Sequence, residues 1–209
     1  MAADAKARSD YQMRGPYDII ARDGQYGKTK GPCENDFLAA YYNALLFVIQ
    51  GEQAHAAKAM EIIRAYSRKL TRIDGHDAPL CAALQGFILI NACELMRHTR
   101  GTGWTRDDTE RTEGMFRQAF LPVLDEFDRQ SPYANGNWGA AVCKMRMAIG
   151  VYANDQAQYS RATDYFLQGH DDGALPHYVA ESGQCQESGR DQAHVMLGLG
   201  QLAEICEVA

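Results

Sequence analysis

The sequence has no CxxC pair, no run of lysine and arginine, and no low-complexity tract. Its six cysteines, Cys33, Cys81, Cys93, Cys143, Cys185 and Cys206, are too dispersed for the usual zinc-ligand spacing. Cys81, Cys93, Cys143 and Cys206 fall inside apolar helical patterns and read as buried free thiols. The shortage of clustered cations, with a formal net charge of -6, excludes a nucleic-acid-binding surface, because phosphate neutralisation needs such clusters. The first eight residues lack the apolar core of a secretion signal. No run approaches the roughly 18 residues of a membrane span. Neither a metal, a cofactor nor a membrane partner is expected. At the other end, Glu207-Val-Ala209 follows a helical pattern with no glycine or proline to stop it, so the chain is expected to be part of a longer fold.

What is present is helix. With 209 residues, 46% of them apolar, one domain can bury a core. Residues 1–33 are rich in glycine, charge and tyrosine and read as an irregular leader packed across something larger. From 34 to 209 the periodicity predicts helical hairpins. A helix from Glu34 to Gly51 is followed almost at once by one from Glu52 to Leu70, so the two run antiparallel. Asp77-Ala-Pro79 opens a helix to His98, and Thr105 caps one towards Arg129 that Pro122 kinks or splits. A third pair covers 140–152 and 156–167, turning at Asn154-Asp155. The stretch Pro176-His-Tyr-Val179 reads as a short extended piece. The last helix, capped by Ser188 or Gly189, turns Val195, Leu199, Leu202 and Cys206 inward and carries Arg190 and His194 on one face. No strand ladder competes, so the expected fold is all-α.

Each hairpin pairs a mostly apolar member with an amphipathic one, and the apolar members start near 35, 78, 137 and 189. Stacked hairpins gather those N-termini at one end, where the unusual residues fall: Asn35, His76, Asn135-Gly-Asn-Trp138, and the polar stretch from Glu181 to His194. Helix N-termini favour a bound anion by ~0.3–1 kcal/mol each where exposed, so this mouth is expected to receive carboxylates.

Three stretches carry a resemblance to a known family: Cys33-Glu-Asn-Asp-Phe-Leu-Ala-Ala-Tyr-Tyr-Asn-Ala-Leu45 with its Gln50-Gly-Glu52 turn, Gly75-His-Asp-Ala-Pro-Leu80, and the ordered set Asn135-Gly-Asn-Trp138, Asp172-Gly-Ala-Leu-Pro176 and Gly189-Arg-Asp-Gln-Ala-His194. Over roughly 33–209 the chain resembles the alginate lyase family of polysaccharide lyases. The resemblance implies an incomplete (α/α) toroid, truncated at its C-terminus, since family members are about twice as long. It also implies β-elimination on an acidic polysaccharide containing uronic acid, and a periplasmic or secreted location. Elimination requires that the sugar carboxylate be neutralised, that a base take the C5 proton and that an acid protonate the departing O4. The resemblance assigns Asn137 and Arg190 to neutralisation, His194 to proton transfer and Tyr178 to the second proton. Asn35, His76, Gln186, Glu187 and Gln192 are candidates for sugar hydroxyls, and Trp138 for a pyranose face. The chain departs from the better-known members, which have a histidine after the Asn motif and a tyrosine where His194 falls.

Other readings stay open. A hydrolase would use two carboxylates, with Glu181, Glu187 and Asp191 as candidates. A non-catalytic helical-repeat scaffold would need none of these residues. Asn135-Gly136 also reads as a plain turn and cap, Trp138 as core, Arg190 with Asp191 as an exposed ion pair, and His76 as part of a cap. His55, His98 and His170 read as surface.

Overall fold

In the computed structural model, which describes residues 1–130 and 136–209, helix makes up 69% and strand 4%, so the fold is all-α. Helix α1 (Lys30–Gln50) stops at Gly51, whose φ of 75° suits a residue without Cβ and whose N–H donates to the Phe47 carbonyl at 2.8 Å. After a two-residue turn, α2 (Gln53–Lys69) returns alongside it. Next come α3 (Ala78–His98) and α4 (Arg106–Met115). Thr105 and Asp108 start α4 with reciprocal side-chain-to-backbone bonds, a capping box. A π turn (Phe116–Phe120) then leads into α5 (Leu121–Gln130). The third hairpin is α6 (Gly136–Tyr152) and α7 (Gln156–Gln168). A one-turn α8 (Leu175–Tyr178) and the final α9 (Gln192–Val208) complete the chain.

The helices form two layers. In the inner row α1 packs on α3, α3 on α6 and α6 on α9, while α2 and α7 lie behind α1 and α6. Helix α6 is the centre of the row, and along its length only Trp138 and Val151 escape burial. The larger apolar core lies under α1 to α6 and includes Phe37, Tyr66, Phe116, Phe120 and Leu124. A smaller one, with Tyr178, Phe166 and Ile205, lies between α6, α7 and α9.

Side-chain pairs show which ends meet. Lys30, at the start of α1, pairs with Asp77, which precedes α3. Asn137, in the first turn of α6, pairs with Glu187 just ahead of α9. Further down the row Lys144 of α6 lies 4.0 Å from the Phe87 ring centre of α3 and pairs at 2.5 Å with Glu204 of α9. Burial and, after it, the Glu204 carboxylate raise the Tyr41 hydroxyl of α1 above its ordinary range.

The first thirty residues are fastened to this frame. Strand β1 (Ile19–Ala21) pairs in parallel with β2 (Arg72–Asp74), Ile20 opposite Ile73. Asp36 of α1 is wholly buried and accepts from the Tyr11 hydroxyl at 2.8 Å, the Arg14 N–H at 3.0 Å, the Gly15 N–H at 2.9 Å and the Tyr66 hydroxyl at 2.7 Å.

Several expectations need correction. A short ladder does exist, β1 with β2, which three-residue strands leave invisible to a period count. Helix α1 starts at Lys30, inside the stretch read as irregular. The stretch holding Pro122 is divided, as α4 and α5, but by a π turn and not by a break in the helix. The π turn ahead of Pro122, closed by the Leu121 N–H on the Phe116 carbonyl, absorbs the missing donor. Residues Pro176 to Tyr178 are helical rather than extended, and only Val179 bridges, to Cys185. Helix α9 is capped by Asp191, which accepts from the His194 N–H at 2.9 Å, so Arg190 lies before the helix and not four places along its face from His194. Its buried face is Gly198, Gln201, Leu202 and Ile205, while Leu199 and Cys206 are exposed. His55 is buried against Asn43 at 2.6 Å. Helix α3 contains an 18-residue window of mean hydropathy 1.5, long and apolar enough for a membrane span, but half of that window is buried within the fold. Asn135 lies outside the described residues.

Candidate functional site

Asn137 and Arg190 reach the same carboxylate. Asn137, 1% exposed, donates through Nδ2 to Glu187 Oε1, and Arg190 Nη1 lies 3.2 Å from Glu187 Oε2. The Glu187 side chain is 7% exposed and that of Arg190 52%. The carboxylate therefore sits inside while the guanidinium rests over it at the surface. It also lies beside the N-terminal turn of α6, where the helix dipole favours an anion. Asn137 Oδ1 is buried with no partner.

The next link is Asp191, whose Oδ2 is 4.0 Å from Arg190 Nε and 2.6 Å from His194 Nδ1. The His194 backbone N–H, and after it the imidazole, hold the Asp191 carboxyl below the usual carboxylate range. With Nδ1–H donating to Asp191, the lone pair of His194 is on Nε2, the tautomer a general base uses. The imidazole is about a third exposed. A single string of contacts, Asn137, Glu187, Arg190, Asp191, His194, thus joins the start of α6 to the start of α9.

Tyr178 lies beneath this string. It is fully buried, its hydroxyl has no partner, and burial, followed by the neighbouring Glu187, pushes its pKa up to about 12. A Cβ at Gly198 would overlap that hydroxyl and come within 2.6 Å of Tyr178 Cζ. The ring is pressed against the α9 backbone and not turned to solvent.

The remaining candidates are peripheral. Gln186 is exposed and donates to the His177 carbonyl at 2.6 Å, and Gln192 is exposed at the first turn of α9. Half-buried Trp138 stacks on Phe127 with 6.3 Å between ring centres. Asn35 donates to the Gly31 carbonyl at 2.8 Å within α1, and exposed His76 precedes α3, both at the other end of the inner row. A cavity of about 410 Å³ opens elsewhere, between α5, α6 and α7. Its two arginines, Arg146 and Arg161, are both held by Asp125 and Asp128. These opposite charges compensate one another, and none of the site residues named from the sequence lines the cavity, so the Asn137 cluster remains the stronger candidate. Among the described residues no group of three or more His, Cys, Asp or Glu side chains could hold a metal ion.

Compared with known proteins, the family model described as alginate lyase matches residues 2–209. The chain belongs to the alginate lyase family. Comparison with curated proteins gives no significant match, and neither does comparison with solved structures. Membership makes the chain a polysaccharide lyase in general terms, with a polysaccharide as substrate. Within this family member, three features of the site are not in the sequence reading. One is Glu187 as the carboxylate that Asn137 and Arg190 hold. Another is Asp191 as the partner of the imidazole, and the third is the Lys144 and Glu204 pair along the row. Asp191 is signalled by its spacing of three from His194, and Lys144 by being a charge in an otherwise apolar helix. Nothing in the sequence signals the pairing of Glu187 with Asn137, fifty residues apart.

Proposed function

We propose that this protein cleaves a uronic-acid polymer by β-elimination, at the N-terminal ends of α6 and α9. One observation carries the reading: an amide and a guanidinium from distant parts of the chain already grip a carboxylate together. A group of this kind is what a uronate needs for its C5 proton to become removable. Arg190, half exposed, turns to the sugar carboxylate with Asn137 behind it. His194 Nε2, its imidazole oriented by Asp191, is the base. The burial of Tyr178 supports a packing role for it, which leaves protonation of O4 to the imidazolium formed in the first step or to solvent. Asn35 and His76, at the other end of the row, are the contacts proposed for a long substrate. That row, α1 to α9, is read as part of an (α/α) toroid, and export to the periplasm or the exterior fits a family whose members typically work there.

The test is absorbance. Incubation with alginate, glucuronan and acidic glycosaminoglycans is expected to give, with at least one of them, an unsaturated product absorbing in the near ultraviolet. Loss of the general base in His194→Ala is expected to lower kcat by about 10²–10⁴-fold, and Arg190→Ala to lower kcat/KM by a similar order. Cleavage without the unsaturated chromophore would point to a hydrolase built on Glu181, Glu187 or Asp191. Unchanged turnover in a folded His194→Ala protein would remove the mechanism.

A further inference from the structure

The candidate groups do not carry the charge that their task demands. Arg190 is offset by Glu187, and Asp191 offsets any charge on His194. Asn137 is neutral. A uronate entering this string brings one further negative charge, and no free cation of the cluster waits for it. Arg190 can turn towards the sugar, but Glu187 is then left buried beside a second carboxylate, with only the Asn137 amide among the described residues to satisfy it. Two carboxylates in close, poorly solvated contact do not both stay ionised.

We propose that Glu187 is a catalytic residue that neutralises the substrate by sharing a proton with it. One proton enters from solvent as the sugar binds and is held between Glu187 and the uronate carboxylate, with Asn137 fixing the first and Arg190 the second. His194 then takes the C5 proton, the electron pair forms the C4–C5 double bond, the C4–O4 bond breaks, and the departing O4 takes a proton from the imidazolium just formed or from solvent. The shared proton returns to solvent when the product leaves with its carboxylate ionised, so no proton is gained or lost through Glu187 over a turnover. Among the described residues, the groups facing Glu187 are Asn137 from α6, Tyr178 from α8 and Arg190 from its own loop, with Asp191 and His194 beyond Arg190. Tyr178 is protonated throughout the neutral range, since its pKa is pushed up to about 12. This leaves His194 as the competing proton acceptor.

The proposal rests on the lyase reading, and the experiment separates the two. A uronate hexasaccharide from the polymer that the wild type cleaves is titrated into His194→Ala protein by calorimetry, in phosphate and in Tris at the same pH. Uptake of about one proton is expected, read as a difference in apparent heat between the buffers. Affinity is expected to weaken by up to about tenfold per pH unit as pH rises, because the complex holds one more proton than its separated parts. Adding Glu187→Gln is expected to abolish the uptake, and Glu187→Asp, which keeps the carboxylate and guards against a fold lost to the amide, to retain it. Binding with no dependence on buffer, or equal uptake with Glu187→Gln, overturns the proposal while leaving the lyase reading intact. A wild-type protein that cleaves no polyuronate overturns both.

Discussion

Replacing Gly198 and Tyr178, singly and together, tests whether the buried ring beneath the site is packing or chemistry. At Gly198→Ala the new methyl overlaps the Tyr178 hydroxyl and sits 2.6 Å from Cζ, and the fully buried ring has no solvent to retreat into. Overpacking of this kind costs about 1–3 kcal/mol, while the better helix propensity of alanine returns up to about 1 kcal/mol. The overlap with the hydroxyl oxygen is severe and puts the cost at the top of the overpacking range, so the net expectation is a loss of about 2 kcal/mol, or about 4–8 °C in Tm for a chain of this size. Tyr178→Phe removes a buried hydroxyl with no partner, so stability is expected to hold or rise by up to about 1 kcal/mol. In the double variant the overlap with the hydroxyl disappears but the contact with Cζ remains, so about half of the loss is recovered. The resulting coupling of about 1 kcal/mol exceeds the usual error of additivity. Urea or thermal unfolding measures all four proteins, and the absorbance assay measures their turnover. Tyr178→Phe is expected to keep elimination within about threefold of wild type. A hundredfold fall with an unchanged Tm would put the hydroxyl in the chemistry and refute the argument from burial, and a Gly198→Ala protein as stable as wild type would refute the packing account.

Asp108 should matter more for stability than any surface ion pair. It takes two 2.8 Å bonds from Arg64 and closes the cap with Thr105, so Asp108→Ala is expected to cost about 3 kcal/mol in urea unfolding. Arg64, helped by Thr105, holds that carboxyl at about 2, below the usual carboxylate range. Its contribution is therefore present above pH 4 and lost as the pH falls towards 2, and an acid titration of Asp108→Asn should lack that part of the transition. Native thiol labelling followed by mass spectrometry should modify Cys206 first and Cys185 more slowly. Cys33, Cys81 and Cys143, pushed up to about 12 by burial, should react only after unfolding. Lys144→Met keeps an apolar stem on Phe87 and removes an ammonium whose pKa burial lowers. Its stability is expected to stay within about 1 kcal/mol of wild type or to rise, and a loss above about 2 kcal/mol would show the pair with Glu204 to be structural.

The helices were legible wherever a strong period met a strong boundary. Gly51, Asp77-Ala-Pro79, Thr105 and Asn154-Asp155 each end or begin an element at the expected place. The start of α9 was not, because Ser188, Gly189 and Asp191 are all acceptable caps and only the paired acceptance from His194 decides among them. Its inward face was also ambiguous, since a helix apolar nearly all round gives a period count little to choose from, and Gly198 against Tyr178 settles it. The candidate groups of the site could be named from the residues ahead of α6 and α9. Their wiring could not, because a polar contact spanning fifty residues leaves no local trace.

Asp36 makes the opening residues something other than a tail. Three of the four groups that satisfy this sealed anion, Tyr11, Arg14 and Gly15, come from the first fifteen residues. Trimming them would strand a charge in the apolar interior with Tyr66 alone to answer it. An expression variant begun at α1 for tidiness should therefore be less stable than one carrying the full N-terminus, by more than the lost surface contacts would suggest.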